Sequence, residues 1–290
     1  MAAERPAEGD SLRDRVILVT GATSGIGRVA ARELAARGAQ VILHGRDSER
    51  AEQTRRAIIE RVPSASVDVV LADLASQAEV RRLAAEVRQR FPGLDVLVNN
   101  AGATFGRRLE TVDGLEMTLA LNHLAPFLLT NLLLDLLRRN APARVVTVAS
   151  GAHQRSALDF DDLQNRRGYS GFRVYGQSKL CNLYFTYELA RRLEGSGVTA
   201  NALHPGFVAT SFGRREGGLM GLLMPIAHRF AISPEEGART IVYLAASPQV
   251  EGVSGKYFFQ ERPIASSAES YDAEAARRLW KASAELTGLA

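Results

Sequence analysis

The stretch R-V-I-L-V-T-G-A-T-S-G-I-G-R at residues 15–28 decides the predicted fold of this chain. An apolar run at residues 15–20 leads through glycines into residues 28–37, which are rich in Ala, Leu and Arg. This order predicts a strand, a turn and a helix. Gly21, Gly25 and Gly27 would let the turn approach a pyrophosphate at the positive end of the helix. A plain strand-to-helix turn is the alternative interpretation.

The same alternation of strand and helix patterns continues along the chain. Further strands are predicted at residues 41–43, 67–71, 94–98, 144–149, 198–203 and 256–259. Further helices are predicted at residues 48–61, 77–90, 114–139, 175–193 and 234–245. Six or seven strands separated by helices imply parallel pairing with right-handed crossovers. We therefore expect one α/β domain at residues 13–290, a doubly wound Rossmann sheet with helices on both faces, behind a flexible tail at residues 1–12.

Composition and charge exclude several other classes of protein. The chain has 290 residues, of which 46% are hydrophobic and 23% are charged, and this excludes disordered and collagen-like chains. The single Cys181 and the polar first ten residues favour a reducing, cytoplasmic setting without a secretory signal. The net charge of +4 comes from scattered arginine pairs, so we expect no nucleic-acid partner. The five histidines have no metal-ligand spacing, so no metal site is predicted.

One apolar stretch, at residues 117–137, is about long enough to span a bilayer. Asn122, Pro126 and Asp135 interrupt it, and a carboxylate deep in a membrane span costs about 2.5 to 3.5 kcal/mol. The sequence therefore favours a buried helix, bent at Pro126, and no transmembrane segment.

A tyrosine and a lysine stand one helical turn apart in Y-G-Q-S-K at residues 175–179. With seven tyrosines and three lysines in the chain, this pairing is seldom a coincidence. A cation near a phenol favours the phenolate and so brings Tyr175 toward the range of acid and base catalysis. Ser150 ends a predicted strand at the edge of the sheet where such folds bind ligands, although serines at strand ends are also common turn formers.

The end of the second predicted strand indicates which dinucleotide binds. Enzymes that use NAD place an acidic side chain there against the ribose 2'-hydroxyl, whereas this chain reads H-G-R-D at residues 44–47. The guanidinium of Arg46 suits a 2'-phosphate, so the sequence predicts NADP(H) over NAD(H). The alternative is that Arg46 is an ordinary surface arginine and Asp47 a helix cap.

Taken in order over nearly the whole chain, these motifs resemble the short-chain dehydrogenase/reductase family. The resemblance is carried by residues 20–27, N-N-A-G at residues 99–102, Asn122, Ser150, Tyr175 with Lys179, and P-G at residues 205–206. Residues 122–137, H-P-G at residues 204–206 and the long separation of Ser150 from Tyr175 resemble its retinol-dehydrogenase branch. Vertebrate members of that branch often carry an N-terminal membrane anchor, which we do not expect here.

The resemblance implies hydride transfer between NADP(H) and a carbonyl and alcohol pair. Tyr175 would be the general acid, and Ser150 would position the carbonyl oxygen. Lys179 would bind the nicotinamide ribose and lower the pKa of the tyrosine, while Asn122 would hold a water in a proton relay. The predicted cofactor-binding residues are Gly21, Thr23, Ser24, Gly25, Ile26, Gly27, Arg46, Asp73, Leu74, Asn99, Ala101, Gly102, Tyr175, Lys179, Pro205, Gly206, Val208 and Thr210.

Three of these assignments carry structural alternatives. The resemblance implies that Asp73 contacts the adenine, Asn99 lies near the adenosine ribose and Thr210 contacts the carboxamide. Helix capping for Asp73 and Thr210, and a turn for Asn99, are the alternatives.

The resemblance also places a mobile substrate loop at about residues 207–232. Its glycines and apolar side chains suggest a lid over a hydrophobic aldehyde or ketone, with a membrane-surface or subunit contact as the alternative. A homodimer or homotetramer formed through the long helices is implied as well. A catalytically silent, NADP(H)-sensing regulatory protein on the same fold is the alternative function. The presence of Asn122, Ser150, Tyr175 and Lys179 together favours the enzyme.

Overall fold

The computed structural model describes residues 11–206 and 232–289. Its strands are β1 (Val16–Val19), β2 (Gln40–Gly45), β3 (Ser66–Leu71), β4 (Val96–Asn99), β5 (Ala143–Val148), β6 (Val198–Leu203), β7 (Tyr257–Phe259) and β8 (Arg262–Ile264). They form one sheet in the order β3-β2-β1-β4-β5-β6-β7-β8. Neighbours pair in parallel from β3 to β7, which confirms the predicted Rossmann sheet, and β8 adds an antiparallel edge that the sequence did not predict.

Helices cover both faces of this sheet. They are α1 (Gly25–Ala36), α2 (Ser48–Arg61), α3 (Gln77–Arg90), α4 (Met117–Arg139), α5 (Gly171–Arg192), α6 (Pro234–Ala246) and α7 (Ala273–Thr287). One hydrophobic core lies beneath α1, α2 and α6, and a second lies beneath α3, α4 and α5. The predicted bounds of α2 and α3 agree with the structure, whereas α5 begins four residues before Tyr175.

The central strands are apolar because both of their faces are buried. In β1, Ile17 and Val19 pack into the first core while Leu18 packs into the second. In β4, Val98 packs into the first core and Leu97 into the second. Because successive strand residues point to opposite faces, a continuous apolar run fits this position, and each fully buried side chain contributes about 1.5 to 3 kcal/mol.

The long helix α4 is irregular just before Pro126, the residue at which the sequence predicted a bend. It is π-helical at Ala120–Leu124 and returns to α-helix at Ala125–Arg139. Pro126 has no N–H to donate to the carbonyl oxygen of Asn122, four residues earlier, and the N–H of Ala125 instead donates to Ala120, five residues earlier. The irregularity therefore surrounds Asn122 and precedes the proline.

In the part of the chain that the structure describes, α4 is the one helix long and apolar enough to cross a membrane. The protein itself buries 72% of its most apolar window. Leu128, Leu129 and Leu133 are fully or almost fully buried in the second core. Packing against the sheet thus accounts for the apolar character of α4.

The C-terminal helix α7 is absent from the sequence prediction, although it packs against α5 and α4. Its Trp280 lies 4.9 Å from the ring of Phe127 and 5.9 Å from that of Phe185, measured between ring centroids. The guanidinium of Arg192 lies 4.3 Å from the Trp280 ring centroid. Apolar residues that pack inward recur every three or four positions at Ala276, Leu279 or Trp280, and Ala284, which is the helical signal that the prediction missed.

Leu12, which the sequence analysis assigned to the N-terminal tail, packs on the folded domain. Leu12 is only 6% exposed, belongs to the first core and donates its N–H to the carbonyl oxygen of Arg37 over 2.9 Å. Burial of this apolar side chain stabilises the contact of residue 12 with the first core. The predicted substrate loop at 207–232 lies outside the described residues except for Ile232.

His123 gives a prediction about acid stability. The ring is buried in the π-helical part of α4, its Nε2 atom lies 2.8 Å from the hydroxyl of Ser283 in α7, and burial lowers its pKa from 6.5 to about 3. As the pH falls below 6.5, the histidine is protonated in the unfolded chain but not in the folded one. The folded protein therefore loses stability relative to the unfolded chain between pH 6.5 and about pH 3.

Between about pH 7 and about pH 5, we expect the free energy of unfolding to fall by about 2 kcal/mol less in His123→Phe than in the parent protein. Urea unfolding at the two pH values measures this difference. Each protein is compared with itself at the two pH values, so any cost of the substitution that does not depend on pH cancels. Equal pH dependence in the two proteins would contradict the assignment.

Candidate active site

The candidate site begins where the carboxyl ends of β1 and β4 meet. The side-chain amide of Asn100 donates to the carbonyl oxygen of Thr20 over 2.8 Å and to that of Gly21 over 3.3 Å. In return, the Thr20 hydroxyl accepts from the backbone N–H of Asn100 at 2.9 Å and of Ala101 at 3.1 Å. These bonds join the glycine loop to the N-A-G segment that follows β4.

The glycine loop has no room for side chains at two of its glycines. Gly21 has a φ of +65°, and a Cβ there would lie 2.9 Å from the Cα of Ala101. A Cβ on Gly27 would lie 2.5 Å from the carbonyl oxygen of Gly21 and 2.3 Å from the Asn100 amide nitrogen. Gly21 therefore supplies both a left-handed turn and a close approach, whereas Gly27 is required by contact alone.

The beginning of α1 fits an anionic ligand. Ser24 occupies the N-cap position but makes no side-chain capping bond within the described chain, and the first turn holds no acidic residue. The first N–H groups of a helix lack intrahelical partners and carry positive partial charge. Gly25, with a φ of +52°, begins the helix, and Ile26 anchors it by packing on the first core. A dinucleotide pyrophosphate meets compatible donors here.

The end of β2 packs directly on this loop. A Cβ on Gly45 would lie 2.4 Å from the Cγ2 methyl of Thr23, so a larger residue there would have to displace the Thr23 side chain. Asp47 accepts from the N–H of Arg50 over 3.0 Å and caps α2, which confirms its interpretation as a helix cap. Arg46, between them, is exposed and forms no ion pair with any residue that the structure describes. Arg46 thus presents an exposed side chain directly after Gly45, the residue that packs on the loop.

His44 is a loop-supporting residue that the sequence interpretation missed. It is 3% exposed, its Nε2 atom lies 3.1 Å from the carbonyl oxygen of Ala72, and its Nδ1 atom lies 3.2 Å from the N–H nitrogen of Gly21. A carbonyl only accepts and an N–H only donates, so the ring is neutral with its proton on Nε2. Burial lowers the pKa of His44 to about 4, which agrees with this form. In the sequence, the position of His44 at the end of a strand, one residue before Gly45, could have indicated this role.

The loop after β3 carries Asp73 and Leu74. Asp73 is half-buried and accepts from the N–H of Ala75 over 3.1 Å, while Ser76 is the N-cap of α3. Asp73 is therefore a turn residue and not the helix cap considered as its alternative. The Leu74 side chain is buried in the second core, so any cofactor contact by this residue falls to its backbone.

Different residues of the N-N-A-G segment contact different parts of the site. Asn99 is 4% exposed and its amide donates to the hydroxyl of Thr130 in α4 over 3.0 Å, so its side chain is engaged in the interior. It is Asn100 that contacts the glycine loop. A Cβ on Gly102 would lie 3.1 Å from the Asn122 Oδ1 atom and 3.5 Å from the Lys179 Nζ atom. Gly102 thus connects the glycine loop to the predicted catalytic residues.

Ser150, Tyr175 and Lys179 meet beside this segment. Ser150 follows β5 and forms a hydrogen bond with the Tyr175 phenol, and both residues lie near the carboxyl edge of the sheet. The Lys179 Nζ atom lies 5.6 Å from the centroid of the Tyr175 ring and donates to the carbonyl oxygen of Val148 over 2.9 Å. The predicted phenol, ammonium and hydroxyl are therefore in one place.

The pKa values of this group correct one expectation. Burial raises the pKa of Tyr175 to about 12, and the hydrogen bond with Ser150 opposes this rise. The lysine was expected to lower it, but desolvation of the phenol is the larger effect. Burial also lowers the pKa of Lys179 to about 8, so the amine stays mostly protonated at neutral pH. Desolvation therefore favours a protonated phenol at Tyr175 at neutral pH.

Asn122 is 1% exposed and fixed on both sides of its amide. Its Oδ1 atom accepts from the N–H of Ala103 over 2.8 Å, and its Nδ2 atom donates to the Ala103 carbonyl at 2.9 Å and the Ser178 hydroxyl at 3.0 Å. The side chain is therefore occupied. The backbone carbonyl oxygen of Asn122 lacks the usual helical donor, because Pro126 has no N–H. This backbone oxygen is therefore the Asn122 atom suited to hold a water.

The remaining predicted residues lie at the end of β6 or beyond it. Gly206 follows Pro205, has a φ of +85° and donates its N–H to the Nδ1 atom of His204 over 3.3 Å. Val208 and Thr210 lie outside the described residues. Among residues 11–206 and 232–289, no group of three or more His, Cys, Asp or Glu side chains could hold a metal ion.

Comparisons with known proteins agree with this architecture. The sequence pattern of the short chain dehydrogenase family matches residues 15–217. Human retinol dehydrogenase 14 is 43% identical over 295 residues, which cover 96% of this chain and 88% of that protein. An uncharacterised protein from Mycobacterium paratuberculosis has a crystal structure that matches with a TM-score of 0.78 and 36% identity, covering 97% of this chain and 96% of that one. The Pseudomonas aeruginosa RhlG/NADP complex matches with a TM-score of 0.70 and 30% identity, covering 87% and 96%.

Proposed function

The chain belongs to the short-chain dehydrogenase family and is an oxidoreductase of carbonyl and alcohol groups, and we propose that it reduces hydrophobic aldehydes or ketones with NADPH. The observation that carries this proposal is the meeting of Ser150, Tyr175 and Lys179 beside the glycine loop. Gly102 links the two halves of the site through its contacts with Asn122 and Lys179.

The choice of NADP(H) over NAD(H) rests on Arg46. Its guanidinium is exposed next to the glycine loop, and the position after β2 holds no acidic side chain that would repel a 2'-phosphate; the nearest, Asp47, caps α2. A guanidinium binds phosphate through parallel charge-assisted hydrogen bonds. The similar RhlG structure is a complex with NADP, which supports the same choice.

The chain's own residues would bind, orient and protonate the substrate. When bound, the reduced nicotinamide supplies the hydride. Ser150 would donate a hydrogen bond to the carbonyl oxygen and place it next to the Tyr175 phenol. Because burial holds the pKa of Tyr175 at about 12, the phenol keeps its proton at neutral pH and can deliver it to that oxygen. This protonation state suits the direction of reduction.

Lys179 would hold the nicotinamide ribose. Its ammonium group has three N–H donors, and within the described chain one of them is used by the Val148 carbonyl. The side chain is 4% exposed, so hydroxyl oxygens of a sugar would meet unused donors in a site with little water. The carbonyl oxygen of Asn122 would hold the water through which the Tyr175 proton is replaced.

A hydrophobic substrate is supported by two observations. Phe172 is 67% exposed on the first turn of α5, three residues before Tyr175 and on the same side of the helix. An exposed aromatic ring beside a catalytic group favours apolar ligands. The similar human protein is named retinol dehydrogenase 14, so retinal is the natural first substrate to test.

Three further expectations stay proposals. We propose that α4 remains in the protein core and does not span a membrane, since most of its apolar surface packs inward. We propose a homodimer or homotetramer, in which a contact through the long helices would have to include α7, because α7 already packs on α4 and α5. We propose a cytoplasmic setting, which suits the buried, unpaired Cys181.

The function is tested by Tyr175→Phe. We expect reduction of retinal with NADPH to lose about 100-fold or more in kcat, because the proton donor is gone, while the Kd of NADPH stays within about twofold. Absorbance of NADPH follows the rate. Tyr243→Phe is the matched control, since its hydroxyl donates to the Oε1 atom of Gln249 on the protein surface, away from the site.

Three results would contradict this function. The first is unchanged turnover in Tyr175→Phe. The second is tight NADPH binding without turnover of any carbonyl in the parent protein, which would favour the regulatory alternative. The third is turnover of small hydrophilic carbonyls alone, which would reject the substrate class.

Cofactor choice is tested by Arg46→Ala. Loss of the charge-assisted bonds to the 2'-phosphate should raise the Kd of NADPH about 10-fold to 100-fold and leave the Kd of NADH within about twofold. Cofactor fluorescence titration measures both constants. Arg50→Ala, which removes another exposed arginine from the beginning of α2, should change neither. A clear preference for NADH that persists in Arg46→Ala would contradict the assignment.

A further inference from the structure

We propose that His153 is a positioning residue for the reduction: it holds Ser150 in place for the substrate and couples it to the segment that precedes α7. The inference rests on the proposed function, because it takes Ser150 as the group that binds the carbonyl oxygen. His153 lies in the short 3-10 turn Gly151–Arg155, directly after Ser150, and is completely buried.

Both nitrogens of the His153 ring have backbone partners. The Nδ1 atom lies 2.7 Å from the carbonyl oxygen of Ser150, and the Nε2 atom lies 3.1 Å from the N–H nitrogen of Ser267. Since the carbonyl must accept and the N–H must donate, the ring is neutral with its proton on Nδ1. Burial also lowers the pKa of His153, which favours the neutral ring.

This arrangement excludes a direct catalytic role for His153. A general acid or base needs a nitrogen that faces the reacting atoms, and both ring nitrogens are already committed. The ring also packs edge-on against Tyr257, with centroids 5.2 Å apart, so its plane is braced. Its contribution to the reaction must therefore pass through Ser150.

Ser150 is held at two points by its own turn. Its hydroxyl accepts from the N–H of Ala152 over 3.2 Å, and its carbonyl accepts from the N–H of His153 over 3.2 Å and from the ring over 2.7 Å. The hydrogen bond from the His153 ring is the shorter of the two that the Ser150 carbonyl oxygen accepts. It therefore helps to fix the extended backbone of Ser150, and with it the direction in which the hydroxyl meets Tyr175.

The turn and α5 approach each other closely next to Tyr175. A Cβ on Gly176 would lie 2.8 Å from the carbonyl oxygen of Ala152 and 2.4 Å from the Ser156 hydroxyl. The missing side chain at Gly176 thus lets the turn contact the helix one residue after the phenol. A shift in the turn would change the distance between the Ser150 and Tyr175 oxygens.

The other partner of the ring belongs to a segment that is itself bonded to α5. The hydroxyls of Ser266 and Tyr187 lie 2.7 Å apart, and the Tyr184 hydroxyl donates to the carbonyl oxygen of Glu269 over 3.1 Å. Tyr184 and Tyr187 are on the helix that carries Tyr175 and Lys179. His153 therefore completes a closed set of contacts from Ser150 through residues 266–269 back to that helix.

Two substitutions separate the two bonds of the ring. The amide nitrogen of His153→Asn takes the place of Nδ1 and can still donate to Ser150. The amide of His153→Gln reaches the place of Nε2 and can still accept from Ser267 while losing the bond to Ser150. Each variant keeps one bond, and neither introduces a bulky group. Ser156→Ala, in the same turn, removes only a hydroxyl bonded to Ala152 and is the control.

We expect His153→Gln to reduce retinal with a kcat about tenfold below that of His153→Asn, with NADPH binding unchanged in both. In a Ser150→Ala background the difference should vanish, because His153 then has no serine to position. Ser156→Ala should match the parent protein. Thermal unfolding and the Kd of NADPH report on the fold in every variant.

Other outcomes would overturn the inference. Equal kcat values for the two variants, or a difference that persists with Ser150→Ala, would show that His153 does not act through Ser150. Loss of NADPH binding in both variants would make His153 a residue of the fold alone. A parent protein that binds NADPH and reduces no carbonyl would instead reject the proposed function, and this inference with it.

Discussion

The close contact between the glycine loop and the segment after β4 is the constraint on which the rest of the site depends. The Thr20 hydroxyl and the Asn100 amide join the two loops, and Gly21 and Gly27 leave no room for a Cβ between them. The contact sets the start of α1, and so the direction of its free N–H groups. It also places Gly102 next to Asn122 and Lys179, so that the glycine loop and the predicted catalytic residues lie on either side of the same segment.

Burial then determines the chemistry of the ionisable groups. Tyr175 and Lys179 are shifted in the directions that disfavour their charged forms, the phenol to about 12 and the amine to about 8. Three histidines act as neutral connectors for the same reason. His44 supports the glycine loop, His153 contacts Ser150, and His123 joins α4 to α7. The site is thus an arrangement of hydrogen bonds among largely buried groups, in which the phenol begins with its proton in place.

Much of this could be predicted from sequence because local patterns carry it. Apolar runs and helical periods located seven strands and most helices, and the spacing of Tyr175 and Lys179 placed both on one helix. What failed depends on contacts distant in the chain. The role of Asn100 in joining the glycine loop to the segment after β4, which the sequence did not indicate, is decided by packing between β1 and β4. The pKa of Tyr175 is decided by burial beneath other elements. The π-helical turn around Asn122 combines a local cause, Pro126, with burial, and α7 was overlooked although its apolar period was present.

The most direct test of the account follows deuterium from the cofactor into the product. NADPH deuterated at both C4 positions is mixed with retinal and the protein, and the alcohol is analysed by mass spectrometry. The account predicts one deuterium on the carbinol carbon, and none there when unlabelled NADPH is used in deuterated water. An alcohol formed without deuterium from the labelled cofactor, or no alcohol although NADPH is bound, would contradict it.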